Sequence, residues 1–313
     1  MGLRFNLRII AVVICFGSPS SFAANQFRMA ITVDDLPTHG RLPAGISRLD
    51  VANSMIATLK SFRVPEAYGF INAGRSDEDT DLTGVMRLWV KAGYPLGNHT
   101  FTHANLSKVD ADTFIREIQL NEPALTKLND NKDWHYFRYP YLHEGKDLKT
   151  RNAVRSYLKD RGYKIAEVTD DFEDWAWNDP YARCKAKGDQ KAINILKASY
   201  LRSARERFLQ DDIISRFVFK RDVPKILLLH MGAFDAEMLP SLLRMYQGHG
   251  VTFIPLSEAI RDVAYTTDPG IAVGDGGDFQ YNVLKSKGQT KANAGVNHPW
   301  KYPGEELEKT CAD

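Results

Sequence analysis

Short apolar runs of strand length alternate along the chain with longer segments of helical character. This alternation constrains the fold more than any other feature of the sequence. The apolar runs cover residues 29–33, 67–72, 94–100, 134–140, 164–169, 225–230 and 251–256. Strands separated by helices favour a mostly parallel sheet with helices outside it, either open or closed into a barrel. The pattern therefore predicts an α/β fold in which ligands bind beyond the carboxyl ends of the strands.

The segments between these runs show the apolar spacing of amphipathic helices. In the first of them, residues 45–63, Ile46, Leu49 and Ile56 recur at helical spacing. We predict Pro123 to kink or divide the helix at 110–128, because proline lacks the N–H group of a helical hydrogen bond. The other predicted helices are 82–93, 147–163, 189–219 and 236–248.

The two ends of the chain differ from its alternating middle, residues 24–265. Residues 1–23 begin with a positively charged stretch, continue with nine apolar residues and end in small residues. This layout is typical of a secretory signal peptide, and it is too short to span a bilayer, which takes about 20 apolar residues. Residues 266–313 are rich in Gly, Lys and Asp and lack periodicity, which predicts an irregular tail packed on the surface or partly disordered.

Cleavage after Ala23 predicts an exported protein, periplasmic or secreted, with no membrane span. It removes Arg4 and Arg8, so that 39 basic residues face 39 acidic residues. This neutral balance argues against nucleic-acid binding, which requires a basic surface. Cys184 and Cys311 remain, and in an oxidising compartment they either pair, fastening the chain end to a loop near residue 184, or stay free.

Chemically reactive side chains follow several of the predicted strands. Asp34 and Asp35 follow the first strand, His99 and His103 follow the third, and His230 ends the sixth. Two histidines and a carboxylate can hold one zinc ion and leave a position open, as catalysis requires. Successive side chains of a strand point to opposite faces, so a purely structural strand gains nothing from two adjacent carboxylates. One of them is then a metal ligand, and its neighbour takes a proton from water.

Five short motifs, in this order, resemble those of the polysaccharide deacetylases of the NodB-homology type. They are TVDDLP at 32–37, HTFTH at 99–103, RYPY at 138–141, DFEDW at 171–175 and LLLH at 227–230. The resemblance covers residues from about 27 to about 262. It implies a distorted (β/α) barrel over residues 24–265. It also implies that the protein removes acetyl groups from glycans with a divalent metal, usually zinc.

The resemblance implies a role for each residue of the first three motifs that carries chemistry. Asp35, His99 and His103 bind the metal, and Asp34 acts as the general base. Arg138 pairs with Asp34 and holds its negative charge. The metal then lies beside the base, which is the arrangement that the adjacent carboxylates predict on their own.

The last motifs complete the implied site. The backbone N–H of Tyr141 stabilises the tetrahedral oxyanion, and His230, oriented by Asp174, protonates the leaving amine. Trp175 and Leu228 form the wall of the pocket for the acetyl methyl group. These assignments predict one site at the strand ends that handles the water, the carbonyl oxygen and the leaving group.

Several residues keep both a functional and a structural interpretation. The aromatic side chains for which stacking on sugar rings competes with core packing are Tyr139, which we assign to the substrate pocket, Phe172 and Trp177. For His39 and His143 a position in a surface loop is favoured over a position in the site. Leu36 stands where the family usually has glycine, and we expect it to reshape the rim of the site.

The leading hypothesis is hydrolysis of N-acetyl groups from N-acetylglucosamine in a β-1,4-linked glycan. Export makes peptidoglycan the nearest abundant substrate, while chitin oligosaccharides and O-acetyl esters of the xylan type are the alternatives. A non-catalytic glycan-binding module would have lost the base, a ligand or the acid, but Asp34, His99 and His230 are all present. A metal-dependent amidase for small amides is disfavoured by the signal peptide and the intact HTFTH motif.

Overall fold

A computed structural model describes residues 1–2, 27–75, 80–129 and 132–312 of the chain. The predicted signal peptide, residues 1–23, lies outside the described residues from its third position onward. The α/β architecture predicted from the alternation of strands and helices is confirmed over the described parts of the chain.

Seven parallel strands form one sheet. They are β1 (Phe27–Leu36), β2 (Ala67–Ile71), β3 (Leu96–Asn98), β4 (Tyr136–Phe137), β5 (Lys164–Ile165), β6 (Lys225–His230) and β7 (Val251–Phe253). Their order is β5-β4-β3-β2-β1-β6, and β7 pairs with the beginning of β1. Strand β1 is central, and its residues from Met29 onward are all buried, as expected for a parallel strand covered on both faces.

The sheet curls until its two ends approach each other. The chain that follows β5 forms an isolated parallel bridge, Asp170 to Leu227, with β6 at the other end of the strand order. There the Leu228 N–H donates to the Asp170 carbonyl at 3.0 Å, and the Thr169 N–H donates to the Ile226 carbonyl at 3.1 Å. This curvature turns the carboxyl ends of the strands toward one another, which confirms the predicted distorted barrel.

The predicted helices are all found, and four further α-helices accompany them in the described parts of the chain. In chain order they are α1 (Arg48–Ser61), α2 (Thr80–Lys91), α3 (Ala111–Leu128), α4 (Leu148–Asp160), α5 (Asn178–Lys187), α6 (Gln190–Phe219), α7 (Ala233–Gly248), α8 (Leu256–Ala259), α9 (Phe279–Ser286) and α10 (Gly304–Lys309). Helix α3 runs as one element with Pro123 inside it. The sequence missed α5 because its Asp-Pro pair is typical of turns, although proline is tolerated in a first helical turn. None of the described helices is long and apolar enough to cross a bilayer.

The carboxyl-terminal segment, residues 266–312 here, is more ordered than the predicted irregular tail. Helix α9 buries Phe279, Val283 and Leu284 against Ile214 and Val218 of the long helix α6. These apolar positions span only two turns, which is too short for periodicity to stand out in the sequence. The order in this segment therefore comes from tertiary packing.

A disulfide bond joins Cys184 to Cys311, and it thereby ties the chain end to helix α5, where the sequence predicted a loop. The neighbouring Arg183 guanidinium donates to the carbonyls of Leu307, Glu308 and Thr310 at 2.8–3.2 Å. The Arg183 side chain and the disulfide bond together hold helix α10 against helix α5.

Cys311→Ser is expected to lower the free energy of unfolding by about 2–5 kcal/mol, because the bond closes a long loop of the unfolded chain. Urea denaturation of the oxidised wild type and of the variant measures this difference. Reduction with dithiothreitol should bring the wild type to the midpoint of the variant, whose own midpoint should not change. Equal midpoints for the oxidised wild type and the variant would contradict a stabilising role.

Candidate active site

Two adjacent carboxylates, those of Asp34 and Asp35, are buried at the end of β1 and face the same cleft. Strand alternation alone would point them to opposite faces. Asp35 adopts a φ of 62°, in the left-handed region, and the pairing register between β1 and β2 shifts between Val33 and Leu36. This irregularity breaks the alternation, so both side chains reach one site.

Arg138, at the end of β4, neutralises Asp34. Its Nη1 lies 3.2 and 3.1 Å from the two oxygens of Asp34, while Nη2 donates to Thr32 Oγ1 at 3.0 Å and Nε to the Ala166 carbonyl at 2.7 Å. Burial raises the pKa of Asp34, the positive charge of Arg138 opposes that effect, and the pKa settles at about 6. A carboxylate with this pKa can accept a proton near neutral pH.

The two oxygens of Asp35 have different surroundings. Oδ2 lies 2.7 Å from Nδ1 of His39. Oδ1 is buried and makes no hydrogen bond among the described residues, although it lies 3.3 Å from Arg75 Nη1, 3.4 Å from His103 Nε2 and 3.9 Å from His99 Nε2. Burial would raise the pKa of Asp35, but the hydrogen bond with His39, the nearby His103 imidazole and the charge of Arg75 hold it well below its usual range. Asp35 is therefore ionised.

The two histidines are neutral and turn their Nε2 atoms toward Asp35. Nδ1 of His99 lies 2.8 Å from the Arg138 carbonyl, which can only accept, so Nδ1 carries the proton and Nε2 the lone pair. Burial lowers the pKa of His99 well below its usual range and that of His103 to about 4. Neutral imidazole is the form that binds metals.

Asp35, His99 and His103 fit a divalent metal ion. One ligand atom from each lies within 4.8 Å of the others. An ionised carboxylate with an orphaned buried oxygen and two unprotonated ring nitrogens form the donor set that zinc prefers, and three protein ligands leave a position open. The bond between His99 and the Arg138 carbonyl fixes the ring, as groups behind a metal ligand commonly do.

A cationic imidazole, that of His230, lies beside the ligand set, with a ring nitrogen within 4.8 Å of an Asp35 carboxylate oxygen. Asp174 accepts from the backbone N–H of His230 at 2.7 Å through one oxygen, and its other oxygen lies 2.7 Å from His230 Nδ1. Burial lowers the pKa of His230, but the charge and hydrogen bond of Asp174 outweigh burial and raise it to about 10. The His230 ring is 4.9 Å from that of His39, measured between centroids.

The cleft has a volume of about 1030 Å³ and brings together most of the predicted site residues. Those that line it are Asp34, Asp35, His99, His103, Tyr139, Tyr141, Trp175, Leu228 and His230, while Arg138 and Asp174 lie behind the lining. Tyr141 has a φ of 60°, and its ring lies 4.5 Å from that of His103. Five strand ends thus meet at one site, as their positions in the sequence predict.

The structure decides between the interpretations left open for side chains near the cleft and corrects the expectation for Leu36. Tyr139 is only 3% exposed and packs on Phe114 and Phe137, so its ring is not a face for sugar stacking. Phe172 and Trp177 are fully buried in the core. Leu36 is also buried there and packs beside Gly69, where a Cβ would meet it at 2.9 Å, so it does not reshape the rim.

Other residues at the cleft were not predicted from the sequence, or were predicted to lie elsewhere. His39 contacts Asp35 directly instead of lying in a surface loop, and its spacing of four residues from Asp35 was the available signal. His143 lines the cleft too, with Nδ1 3.0 Å from Asn105 Oδ1. The stretch from Asp275 to Asn282 in the carboxyl-terminal segment forms part of the cleft wall, and no sequence pattern indicated it.

Comparison with known proteins relates the part of the chain that carries the first five strands to one family. Residues 23–166, which include β1 to β5, match the model of the family described as polysaccharide deacetylase. A mutant of a CE4 family pseudoenzyme with restored enzymatic activity has a TM-score of 0.52 to this chain at 17% identity, covering 76% of this chain and 68% of the other. Residues 23–166, which carry the first three motifs, therefore match the polysaccharide deacetylase family, as those motifs indicate.

Two curated relatives from Arthroderma benhamiae are more specific in name but match only in part. A chitin deacetylase is 32% identical over 73 residues, which is 23% of this chain and 20% of that protein. A probable peptidoglycan-N-acetylglucosamine deacetylase is 26% identical over 170 residues, which is 54% of this chain and 34% of that protein. The chain therefore spans between a fifth and about a third of the length of these relatives.

Asp174→Asn is expected to lower the pKa of His230 from about 10, because it removes the largest effect that opposes burial and leaves only the smaller effects of Asp35 and Asp34. Because the folded-state pKa is raised, the stabilisation from this pair is present below about pH 6.5 and is lost as pH rises through about 10. Nuclear magnetic resonance titration of the imidazole in metal-free protein measures the shift. Asp133→Asn, which removes the carboxylate beside the exposed His135, is the matched control and should leave His230 unchanged. An unchanged His230 titration in Asp174→Asn would contradict the assignment.

Calorimetric titration with Zn²⁺ tests the ligand set. His103→Ala should lose binding, whereas Asp34→Asn should retain it, because the partner of Asp34 is Arg138. His39→Ala should weaken binding about 10–100-fold, since it removes the group that orients Asp35. His135→Ala, on the surface, is the control. Normal binding by His103→Ala together with loss in Asp34→Asn would overturn the assignment.

Proposed function

We propose that the protein is a metal-dependent deacetylase that hydrolyses the N-acetyl groups of N-acetylglucosamine residues in a β-1,4-linked glycan, with peptidoglycan as the substrate. One observation carries this proposal. One cleft is lined by the buried carboxylates of Asp34 and Asp35, by the neutral His99 and His103, and by the protonated His230. They supply a base, a ligand set and an acid at separate positions.

An amide carbonyl is a poor electrophile, so its hydrolysis needs both activation of the carbonyl and a deprotonated water. A divalent metal, zinc by the chemistry of its donors, would supply Lewis acidity and would lower the pKa of water at the site. Asp35, His99 and His103 are the residues that would hold it. The protonation states of these three side chains in the structure are those that such binding requires.

Asp34 accepts the proton of the attacking water in this proposal. Its Oδ2 lies 3.7 Å from His99 Nε2, so the carboxylate is beside the ligand set, while Arg138 holds both of its oxygens. A pKa of about 6 leaves Asp34 mostly ionised at neutral pH and still basic enough to take a proton. The arginine also fixes the direction of the carboxylate.

His230 then donates a proton from its ring to the departing amine nitrogen. Its Nδ1 is engaged by Asp174, which leaves Nε2 for the substrate. A pKa of about 10 keeps this imidazole protonated at neutral pH, so the acid is charged before the substrate arrives. The backbone N–H of Tyr141 is proposed to stabilise the oxyanion, and Leu228 with Trp175 to enclose the acetyl methyl group.

The choice of peptidoglycan rests on proposed export to the periplasm or beyond, and the bond between Cys184 and Cys311 supports an oxidising compartment. The name of one relative supports the same sugar polymer, and that of the other supports chitin as the alternative. Proteins of this fold include a pseudoenzyme. Here the residues proposed as base, metal ligands and acid all line one cleft, which favours an active enzyme.

Acetate release by zinc-loaded protein, residues 24–313, tests the proposal with peptidoglycan and chitopentaose in parallel. Asp34→Asn and His230→Ala should each lower the rate about 10²–10⁴-fold, because each removes a proton-transfer group. His135→Ala should match the wild type, since His135 lies on the surface.

The outcomes of this assay separate the alternatives. Acetate from peptidoglycan alone supports the proposal. Acetate from chitopentaose alone would make a chitin-like glycan the substrate and leave the proposed reaction unchanged. No acetate from either substrate with the metal bound overturns N-deacetylation of these glycans. Full activity of Asp34→Asn overturns the assignment of the base.

A further inference from the structure

The exposed aromatic side chains of this protein are concentrated at the cleft. Among the described residues, three aromatic side chains are more than a third exposed: Tyr141 at 56%, Tyr302 at 45% and Trp175 at 37%. Tyr141 and Trp175 line the cleft, and the ring of Tyr302 lies 6.0 Å from that of Trp175. Exposed aromatic rings grouped in this way commonly mark a binding surface.

Trp175 and Tyr302 lie on the side of the cleft that holds the proposed acid. The Trp175 ring is 6.3 Å from that of His39, which in turn is 4.9 Å from that of His230. The indole Nε1 of Trp175 donates to Glu173 Oε2 at 2.7 Å, which fixes the plane of the ring. The rings of Trp175 and Tyr302 are inclined by 36° to each other with their centroids 6.0 Å apart, so the two rings are direct neighbours.

The chain holds Tyr302 in this position by two independent means. Downstream, the disulfide bond at Cys311 and the hydrogen bonds of Arg183 anchor helix α10, which begins two residues after Tyr302. Next to it, Gly304 leaves room for the ring, because a Cβ at that position would lie only 2.3 Å from Tyr302 Cε1. The exposed ring thus rests directly on the backbone of Gly304.

We propose that Tyr302, with Trp175 beside it, forms a subsite that stacks on a pyranose ring of the glycan next to the residue being deacetylated, whose acetyl methyl group Trp175 and Leu228 enclose. The C–H faces of β-linked sugars are apolar and match an aromatic surface, and the carboxylate of Glu173 lies at its edge to accept hydroxyl groups. This subsite deepens the proposed function and rests on it for the identity of the polymer. It makes the enzyme prefer a chain over a single sugar.

Calorimetric titration of chitopentaose into zinc-loaded protein tests the subsite. All proteins carry Asp34→Asn so that the sugar is not consumed. Adding Tyr302→Ala should weaken the affinity about two- to tenfold, as expected for loss of an aromatic contact. Tyr302→Phe keeps the ring and should bind as tightly as the parent. Val263→Ala, a highly exposed apolar position outside the cleft lining, is the control for surface truncation.

Gly304→Ala tests whether the position of the Tyr302 ring matters, because it moves the ring without removing it. The added methyl group must displace the Tyr302 ring, so this variant should weaken binding in the same range although it removes no atom. In proteins with Asp34 intact, Tyr302→Ala should also reduce the preference for chitopentaose over diacetylchitobiose, measured as the ratio of their kcat/KM values.

Each outcome bears on the subsite separately from the chemistry. Equal pentaose affinity for the parent, Tyr302→Ala and Gly304→Ala overturns the subsite even where the intact enzyme releases acetate. Failure of the parent to bind the pentaose overturns it as well. Weakened binding by both variants supports the subsite even where no acetate is released, and in that case only the proposed function fails.

Discussion

The burial of two adjacent carboxylates at the end of β1 is the constraint on which the rest of the site depends. Each buried charge is costly unless it is paired. The Asp34 carboxylate is paired with Arg138, which follows β4, and the Asp35 carboxylate contacts His39, His103 and Arg75. These partners follow different strands. The curl of the sheet, which brings the strand ends together, therefore also brings the partners that stabilise the buried carboxylates.

The same pair shows how neighbouring residues of one type acquire different chemistry. The pKa of Asp34 rises because burial outweighs the charge of Arg138, while that of Asp35 falls because the hydrogen bond with His39 and the neighbouring side chains, Arg75 among them, outweigh burial. One carboxylate is therefore suited to exchange protons and the other to remain ionised. Two titratable groups whose environments drive their pKa values apart are a common basis for the division of roles in an active site.

The sequence predicted the parts of this molecule that depend on local pattern. Strand runs, helix periods and polar residues at strand ends placed Asp34, His99 and His230 together, because parallel strands share one functional edge. Features that depend on distant contacts were not accessible. Whether Tyr139 meets sugar or core is decided by Phe114 and Phe137, and the order of helix α9 is decided by α6. The contact between His39 and Asp35 depends on the path of the backbone between them, which residue types alone do not predict.

The carboxyl-terminal segment builds one wall of the cleft, yet it begins after the last of the proposed catalytic groups in the sequence. In the proposed enzyme, the groups that carry out hydrolysis and this part of the glycan-contacting surface are therefore encoded in separate stretches of the sequence. Mutations in the later stretch would then change contacts with the glycan without altering a proposed metal ligand, base or acid. Such a division would let one wall of the cleft vary in evolution, or in protein engineering, while the proposed catalytic groups stay fixed.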